Sequence, residues 1–405
     1  MSPAGGTAMP EPRRVAVLGA GIGSAHVAGY LELPERFTVH TVCDRDTARA
    51  AAPAAQAGCP VVADIEAVLA DPAVEIVDVC LPPHLHLPVC LAALDAGKHV
   101  ICEKPLTGSL ADADRIVERA AATGLQVFPV FQYRYGPGAA QLRALIDAGL
   151  AGRPLVGTLE THWNRQASYY DIDWRGTWAG EQGGAILGHA IHIHDWLSMA
   201  LGPVASVAAE VDTRVNDIEI EDCAALAIRM ASGALVTSSV TLGAADDTSR
   251  LRLCFEGFTA ESGSAPYAPA DGVWRFTARE PFEQAAIDRV LAGVQRPRSG
   301  FAGLFEAVAD ALDGRRSRRR AVRARRRPRR ERPTGRAGSV RRRGIGEGAG
   351  IRARRSTAPP FRRRAGGFEP GHRRRRATAP PTPRDSRVRP ERSRSRSDRR
   401  PVCLG

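Results

Sequence analysis

Lysine is nearly missing from this chain: of 57 basic residues, only Lys98 and Lys104 are not arginine. A lysine kept where arginine does all other cationic work suggests a position that needs an ammonium. Aromatic residues are only 5% of the sequence. No apolar run reaches the ~20 residues of a membrane-spanning helix, which excludes that class. The first twelve residues lack the charged and apolar segments of a secretory signal. The 8 cysteines stand at 43, 59, 80, 90, 102, 223, 254 and 403, without the close pairs of a zinc site or a thioredoxin motif. They read as buried free thiols of a reducing compartment. The protein is therefore expected to be soluble and cytoplasmic, with no metal and no membrane partner.

Each part of the chain is also short of one sign of charge. The net charge is +13, yet residues 1–314 hold 23 basic and 38 acidic residues, a balance of −15. From Arg315 onward there are 34 arginines against 6 acidic residues, a balance of +28. The acidic body makes nucleic-acid binding an unlikely purpose of the whole, and the two parts need separate explanations.

What is present first is alternation. RRVAVLGAG, FTVHTVCDRD, EIVDVCLPP, KHVICEKP and LQVFPVFQYR read as buried strands, with helical patterns between them. Strands alternating with helices imply a parallel sheet with right-handed crossovers. After about Gly136 the texture changes. LVGTLETHWN, VASVAAEVDT, CAALAIRM, GALVTSSVTLG and RLRLCFEG suggest an antiparallel sheet with one covered face. GHAIHIHDWLSMALG reads as a helix among them, and another helix runs from Gly300 to Asp313.

GAGIGSAH lies between the first strand and a helix. Gly19 allows the tight turn, Gly21 lets a pyrophosphate approach, and Ile22, Gly23 and Ser24 open the helix whose amides would bind it. The third glycine of the usual fingerprint falls on Ser24, with Gly23 one place earlier. Asp44 ends the second strand, where a carboxylate accepts hydrogen bonds from ribose hydroxyls and repels a 2′-phosphate. NAD is therefore favoured. Arg45 follows at once and is able to grip a 2′-phosphate, so NADP is not excluded.

Several segments, in order, resemble the glucose–fructose oxidoreductase / inositol dehydrogenase / rhizopine catabolism family. They are GAGIGSAH, VCDRD, CLPPHLH, AGKHVICEKP, FQYRYGP, WRGTW and GGAILGHAIHIHDWLSMALGP, spread over about residues 13–314. The resemblance implies an α/β fold: an N-terminal Rossmann parallel sheet plus a C-terminal α+β domain with an open antiparallel sheet that often forms an oligomer interface. It implies that Pro82, His86, Glu103 and Lys104 line the cofactor side. Lys104 and His192 fall on the family's catalytic positions, and Asp195 on the aspartate three residues later. Tyr133, Arg134, His189 and Asp195 fall in the matching segments as substrate candidates, and Tyr169, Tyr170, Trp174 and Arg175 lie in a loop suited to line a sugar-sized pocket. The family usually has an aspartate four residues before the histidine; here the position is Gly188.

Hydride chemistry belongs to the cofactor, and the protein supplies position and proton transfer. A histidine titrates near neutrality and suits that role. A lysine holds the substrate oxygen and its developing charge. HAIHIHD also looks metal-like, but on a helix His194 is rotated roughly 200° from His192, so the group cannot meet one ion.

The expected divisions are a disordered leader at 1–12, a Rossmann dinucleotide-binding domain at 13–135, a truncated substrate and oligomerisation domain at 136–314, and a disordered Arg-rich tail at 315–405. The tail lacks apolar periodicity. It reads either as a nucleic-acid-binding arm or as out-of-frame translation of a GC-rich gene. Read one base later from Ala321, it is compatible with ELVxAxxxSARxGxPV, which resembles the family's closing helix and strand. The expected function is NAD(P)-dependent hydride transfer to or from a sugar, cyclitol or polyol. The alternatives are a dinucleotide-binding regulator of the same fold and nucleic-acid binding through the tail.

Overall fold

The computed structural model describes residues 11–315. The readings of residues 1–10 and 316–405 lie outside the described residues.

The β-branched runs of the first third each become a buried strand. These are β1 (Arg13–Leu18), β2 (Phe37–Cys43), β3 (Val61–Val62), β4 (Ile76–Val79), β5 (His99–Cys102) and β6 (Val127–Pro129). All pair in parallel, in the order β3-β2-β1-β4-β5-β6. That order reverses between β1 and β4, which opens a crevice at the carboxyl ends of the strands. The crossovers are α1 (Gly23–Leu31), α2 (Thr47–Ala57), α3 (Ile65–Ala70), α4 (His86–Asp95) and α5 (Leu110–Thr123). Asp46, Asp64 and Ser109 cap α2, α3 and α5 through their side chains.

After α6 (Pro137–Asp147) the chain builds a second sheet. Its strands are β7 (Pro154–Asn164), β8 (Val204–Asp212), β9 (Cys223–Met230), β10 (Leu235–Thr241), β11 (Gly243–Phe255), β12 (Phe258–Glu261) and β13 (Arg275–Ala278). The order is β13-β12-β11-β7-β10-β9-β8. The expected wholly antiparallel sheet needs correcting: β10 pairs β7 in parallel, Leu235 opposite Val156. The sheet is mixed because β7 and β10 are not joined by a hairpin. The long excursion between them includes α7 (Trp178–Glu181), α8 (Ile191–Leu201), β8 and β9, enough chain to return in the same direction. One face of the sheet packs on α6 and α8, where Leu142, Leu145, Trp196, Leu197, Leu251 and Leu253 are buried together.

Two last helices follow, α9 (Gln284–Ala292) and α10 (Gly300–Leu312). The end of the segment expected at 136–314 does not stay with the second sheet: α10 returns to α1. Phe305 stacks on Tyr30 with ring centres 3.9 Å apart. A Cβ at Gly29 would stand 3.0 Å from Phe301 and Phe305, so glycine is what admits the helix so closely. Arg13 and Arg36 pair with Asp313 across this contact.

Candidate active site

The glycine loop is shaped by sterics at both ends. Gly19 has φ +95, and a Cβ there would meet the Cys80 carbonyl oxygen at 2.4 Å. Gly23 does the work expected of a third glycine: a Cβ would stand 2.9 Å from Val17, so its absence lets α1 rest on β1. Ser24 instead returns its hydroxyl to the Ala20 carbonyl at 2.6 Å. The space beside Gly21 is open, and Ile22 is exposed. Ile22 caps α1 without a side-chain bond, and the amides of Gly21, Ile22 and Gly23 have no acceptor among the described residues. Free amides at a helix start fit a pyrophosphate.

Asp44 lies at the end of β2. Its carboxylate accepts from the Ala20 and Asp46 amides at 2.8 and 2.9 Å and from Arg49 at 2.8 and 3.1 Å. Burial pushes its carboxyl up, but the bonds from Arg49 and the two amides outweigh that and hold it below the usual carboxylate range. Arg49, not the exposed Arg45, is thus the cation beside Asp44. The Arg49 side chain is itself more than half exposed, so it can yield to ribose hydroxyls.

Pro82 leads a short turn into α4, whose first residue is His86. His86 is fully buried, with its ring nitrogens 2.7 Å from the Leu81 and Pro105 carbonyls. It ties the loop after β4 to the loop after β5. Glu103 and Lys104 open that second loop. Glu103 accepts from the Lys104 amide at 3.0 Å and faces His26 at 3.1 Å.

His26 was not among the expected site residues, nor was Asp78. His26 is wholly buried between two carboxylates, with Nδ1 2.8 Å from Asp78 and Nε2 3.1 Å from Glu103. Tyr30 donates to the same Asp78 oxygen at 2.8 Å. Burial disfavours a charged imidazole, but Asp78 overrides it and His26 sits well above its ordinary range. Burial pushes Glu103 up and His26 more than reverses it, to about 2. His26, Asp78 and Cys80 have possible ligand atoms within 4.8 Å of one another. The Tyr30 bond and the second carboxylate make this a hydrogen-bonded charge network that fixes the base of the Lys104 loop. Its signal in the sequence was an aspartate interrupting the apolar run EIVDVC.

Lys104 reaches from the loop after β5 to the turn that precedes α8. Its Nζ donates to the Gly188 carbonyl at 2.7 Å. Burial pushes the ammonium down, against the pull of Glu103. Gly188 lies in a π-helical turn, Ile186–Ala190, that runs into α8. Such wide turns present backbone and side chains out of helical phase, often at functional sites. His189 and His192 follow, both buried, each with Nδ1 buried and unpartnered. Burial, and then Lys104, lower His192 to about 3, and His189 lies well below its ordinary value for the same causes. Both rings are neutral at physiological pH. His192 stacks on Tyr133 at 4.3 Å, and Tyr133 is anchored by its hydroxyl to Pro266 at 2.9 Å.

Arg134 and Asp195 are bound to each other through paired hydrogen bonds, one at 2.6 Å. They fasten α8 to the segment after β6 and offer little to a ligand. Trp174 and Arg175 stack on each other at 4.6 Å near Tyr169. Arg165, at the end of β7, and the buried Glu181 join this group, though neither was expected from the sequence. Lys98, the other lysine, donates to the Asp71 carbonyl at 2.6 Å, away from the site.

Residues 13–131 match the family model described as an oxidoreductase family with an NAD-binding Rossmann fold. Residues 139–260 match that of the GFO/IDH/MocA C-terminal domain. The chain belongs to this family. Among its relatives, inositol 2-dehydrogenase of Mycolicibacterium smegmatis is 41% identical over 146 residues, 35% of this chain and 42% of that protein. Levoglucosan dehydrogenase of Pseudarthrobacter phenanthrenivorans is 26% identical over 230 residues, 54% and 59% of the two chains. The chain spans about half the length of the curated relatives it matches. Among solved structures, the WlbA dehydrogenase of Chromobacterium violaceum, in complex with NADH and UDP-GlcNAcA, superposes with a TM-score of 0.67 at 26% identity. It covers 76% of this chain and 88% of its own. The glycine loop and Asp44 fit the family's NAD: the amides are free, the loop is open, and the carboxylate is ionised. No helix among the described residues is long and apolar enough to cross a membrane.

Proposed function

We propose that the protein is an NAD-dependent dehydrogenase that oxidises a secondary hydroxyl of a sugar, cyclitol or related polyol, or reduces the matching ketone. The observation that carries this is the meeting of Lys104, from the Rossmann sheet, with the Gly188 turn that leads into His192. An ammonium and a neutral imidazole are thereby held together beside the cofactor crevice. The relatives named for inositol and levoglucosan support the substrate class.

A bound nicotinamide supplies the acceptor for the hydride leaving the carbinol carbon. Lys104 orients the carbinol oxygen and offsets charge as its proton leaves. His192 is neutral, so its ring is competent to take that proton. Its buried Nδ1 without a partner is what a bound hydroxyl would satisfy. Glu103 and His26 hold the Lys104 backbone, and Tyr133 holds the imidazole plane.

Cofactor NAD, with NADP weaker, and an assembly of copies through the second sheet belong to the same reading. The test is NAD reduction followed by absorbance over a panel of polyols, sugars and cyclitols. Turnover of at least one that disappears in Lys104→Ala supports the reading. Dinucleotide binding without turnover of any favours a regulator of this fold.

A further inference from the structure

Lys104 and His192 carry the proposed chemistry, and two arginines, Arg165 and Arg175, interact with that lysine through their charge. Arg165 has a side chain only 13% exposed. Its Nη1 donates to the Asn164 carbonyl at 2.8 Å and to Asp247 at 3.2 Å, and its Nη2 to the Tyr267 hydroxyl at 2.9 Å, yet its Nε is buried with no partner. Arg175 lies with its guanidinium carbon 3.9 Å from the centre of the Tyr169 ring. Its Nε is likewise buried and unpartnered, and no carboxylate lies within ion-pair distance of it among the described residues. The same Tyr169 ring carries Arg165 at 5.2 Å, so one aromatic face gathers two like charges.

This arrangement is costly as it stands. Two partly desolvated guanidiniums repel each other, and each leaves a buried donor unused. Lys104 and His189 lie within Coulombic reach of both arginines. The opposing charge is thin. Asp247 is already bound to Arg165 and Tyr267. Glu181 accepts from the Gly176 amide at 2.7 Å, and burial pushes its carboxyl up toward the neutral form. An excess of buried cation with two free N–H donors is the chemistry of an anion receptor, and it adjoins the residues that handle the carbinol.

We propose that the substrate is a sugar acid, whose carboxylate is held by Arg175 and the free Nε of Arg165 while its reacting hydroxyl meets Lys104 and His192. The placement of the reacting hydroxyl rests on the dehydrogenase reading; the anion site does not. A carboxylate suits the donors better than a phosphate. Arg175 presents a planar fork that matches two carboxylate oxygens. Arg165 has its Nε–H and one Nη2–H left, the other three being taken by Asn164, Asp247 and Tyr267. A phosphate dianion would bring a second negative charge beside Glu181, which interacts with Arg175.

The test uses the full chain with matched hexoses, hexuronates and hexose 6-phosphates, read as NAD reduction. A parallel arm measures glucuronate binding to the NAD-saturated protein by calorimetry. The expected result is kcat/KM for an acid exceeding that of its neutral sugar by roughly 10- to 100-fold, the worth of charge-assisted hydrogen bonds. Arg175→Gln should collapse that ratio mainly through KM, and Arg175→Lys should restore part of it. Retained NAD affinity shows that both variants fold. Equal use of acid and neutral sugars overturns the inference and leaves the dehydrogenase reading standing. Preference for the 6-phosphates also overturns it. Saturable glucuronate binding lost in Arg175→Gln, with no turnover of any sugar, supports the anion site and rejects the dehydrogenase. No turnover and no glucuronate binding rejects both.

Discussion

The Lys104 ammonium donates to the carbonyl of Gly188 at 2.7 Å. A backbone carbonyl holds the lysine in place but cannot compensate its charge. A Cβ at Gly188 would meet nothing within 4 Å, so the site has room for a side chain. Gly188→Asp should therefore fold normally and raise the lysine's pKa through the added carboxylate. If an alkaline limb of kcat reports Lys104, that limb should move to higher pH. The pH–rate profile of the variant checks this, and an unmoved limb rejects Lys104 as the group seen there.

Lys104→Ala and His192→Ala should each lower kcat by about 10² to 10⁴. Neither touches the glycine loop, so dinucleotide affinity should be nearly unchanged. Comparing kcat with the Kd for NADH separates the two effects. Near-full kcat in His192→Ala would transfer the role to His189, whose Nδ1 is equally unpartnered.

NADH should bind more tightly than NADPH, because the Asp44 carboxylate is ionised and held by two amides. Asp44→Ala should narrow the gap. Arg49→Ala should tighten NADH, since it frees both Asp44 oxygens from the guanidinium. Fluorescence titration of the unaltered protein and both variants with both cofactors checks this. Equal or tighter NADPH binding by the unaltered protein contradicts the assignment.

Stability should fall in acid for an identifiable reason. Burial lowers His192 to about 3 and His194 to about 4 from an ordinary 6.5. The folded state therefore binds fewer protons than the unfolded chain between those values and 6.5. The stability this gives is full above 6.5 and is lost as pH falls toward 4 and then 3. His194 bonds only Ser238, at 2.9 Å, and lies off the proposed chemistry. His194→Gln should therefore flatten the fall of Tm between pH 6.5 and 4. A parallel fall in both proteins removes His194 from the account.

The first sheet was legible because its strands are buried on both faces and read as continuous β-branched runs, ended by glycine or a capping residue. The second sheet was legible strand by strand, since one face is covered. Its mixed pairing was not, because direction depends on the path of the long excursion between β7 and β10. Gly19, Gly21 and Asp44 were readable from position alone. Gly23 was read as displaced, whereas it supplies the close packing, because the contact is with Val17 and a sequence does not show contacts. Lys104 stood out by its rarity. His26 and Asp78 did not, since they meet only when β4 lies beside α1. Arg165 and Arg175 stand in the one segment between β7 and α7, and nothing in its sequence says that the ring of Tyr169 will collect both.

The central claim is that Lys104 and His192 serve hydride transfer. The direct measurement uses a substrate deuterated at the carbinol carbon and follows the label by mass spectrometry. The account predicts deuterium in the reduced nicotinamide formed by the unaltered protein, and a strongly reduced rate of labelling in Lys104→Ala and His192→Ala. Tight binding of NAD and sugar with no label transferred, or transfer that both variants sustain at the full rate, would contradict it.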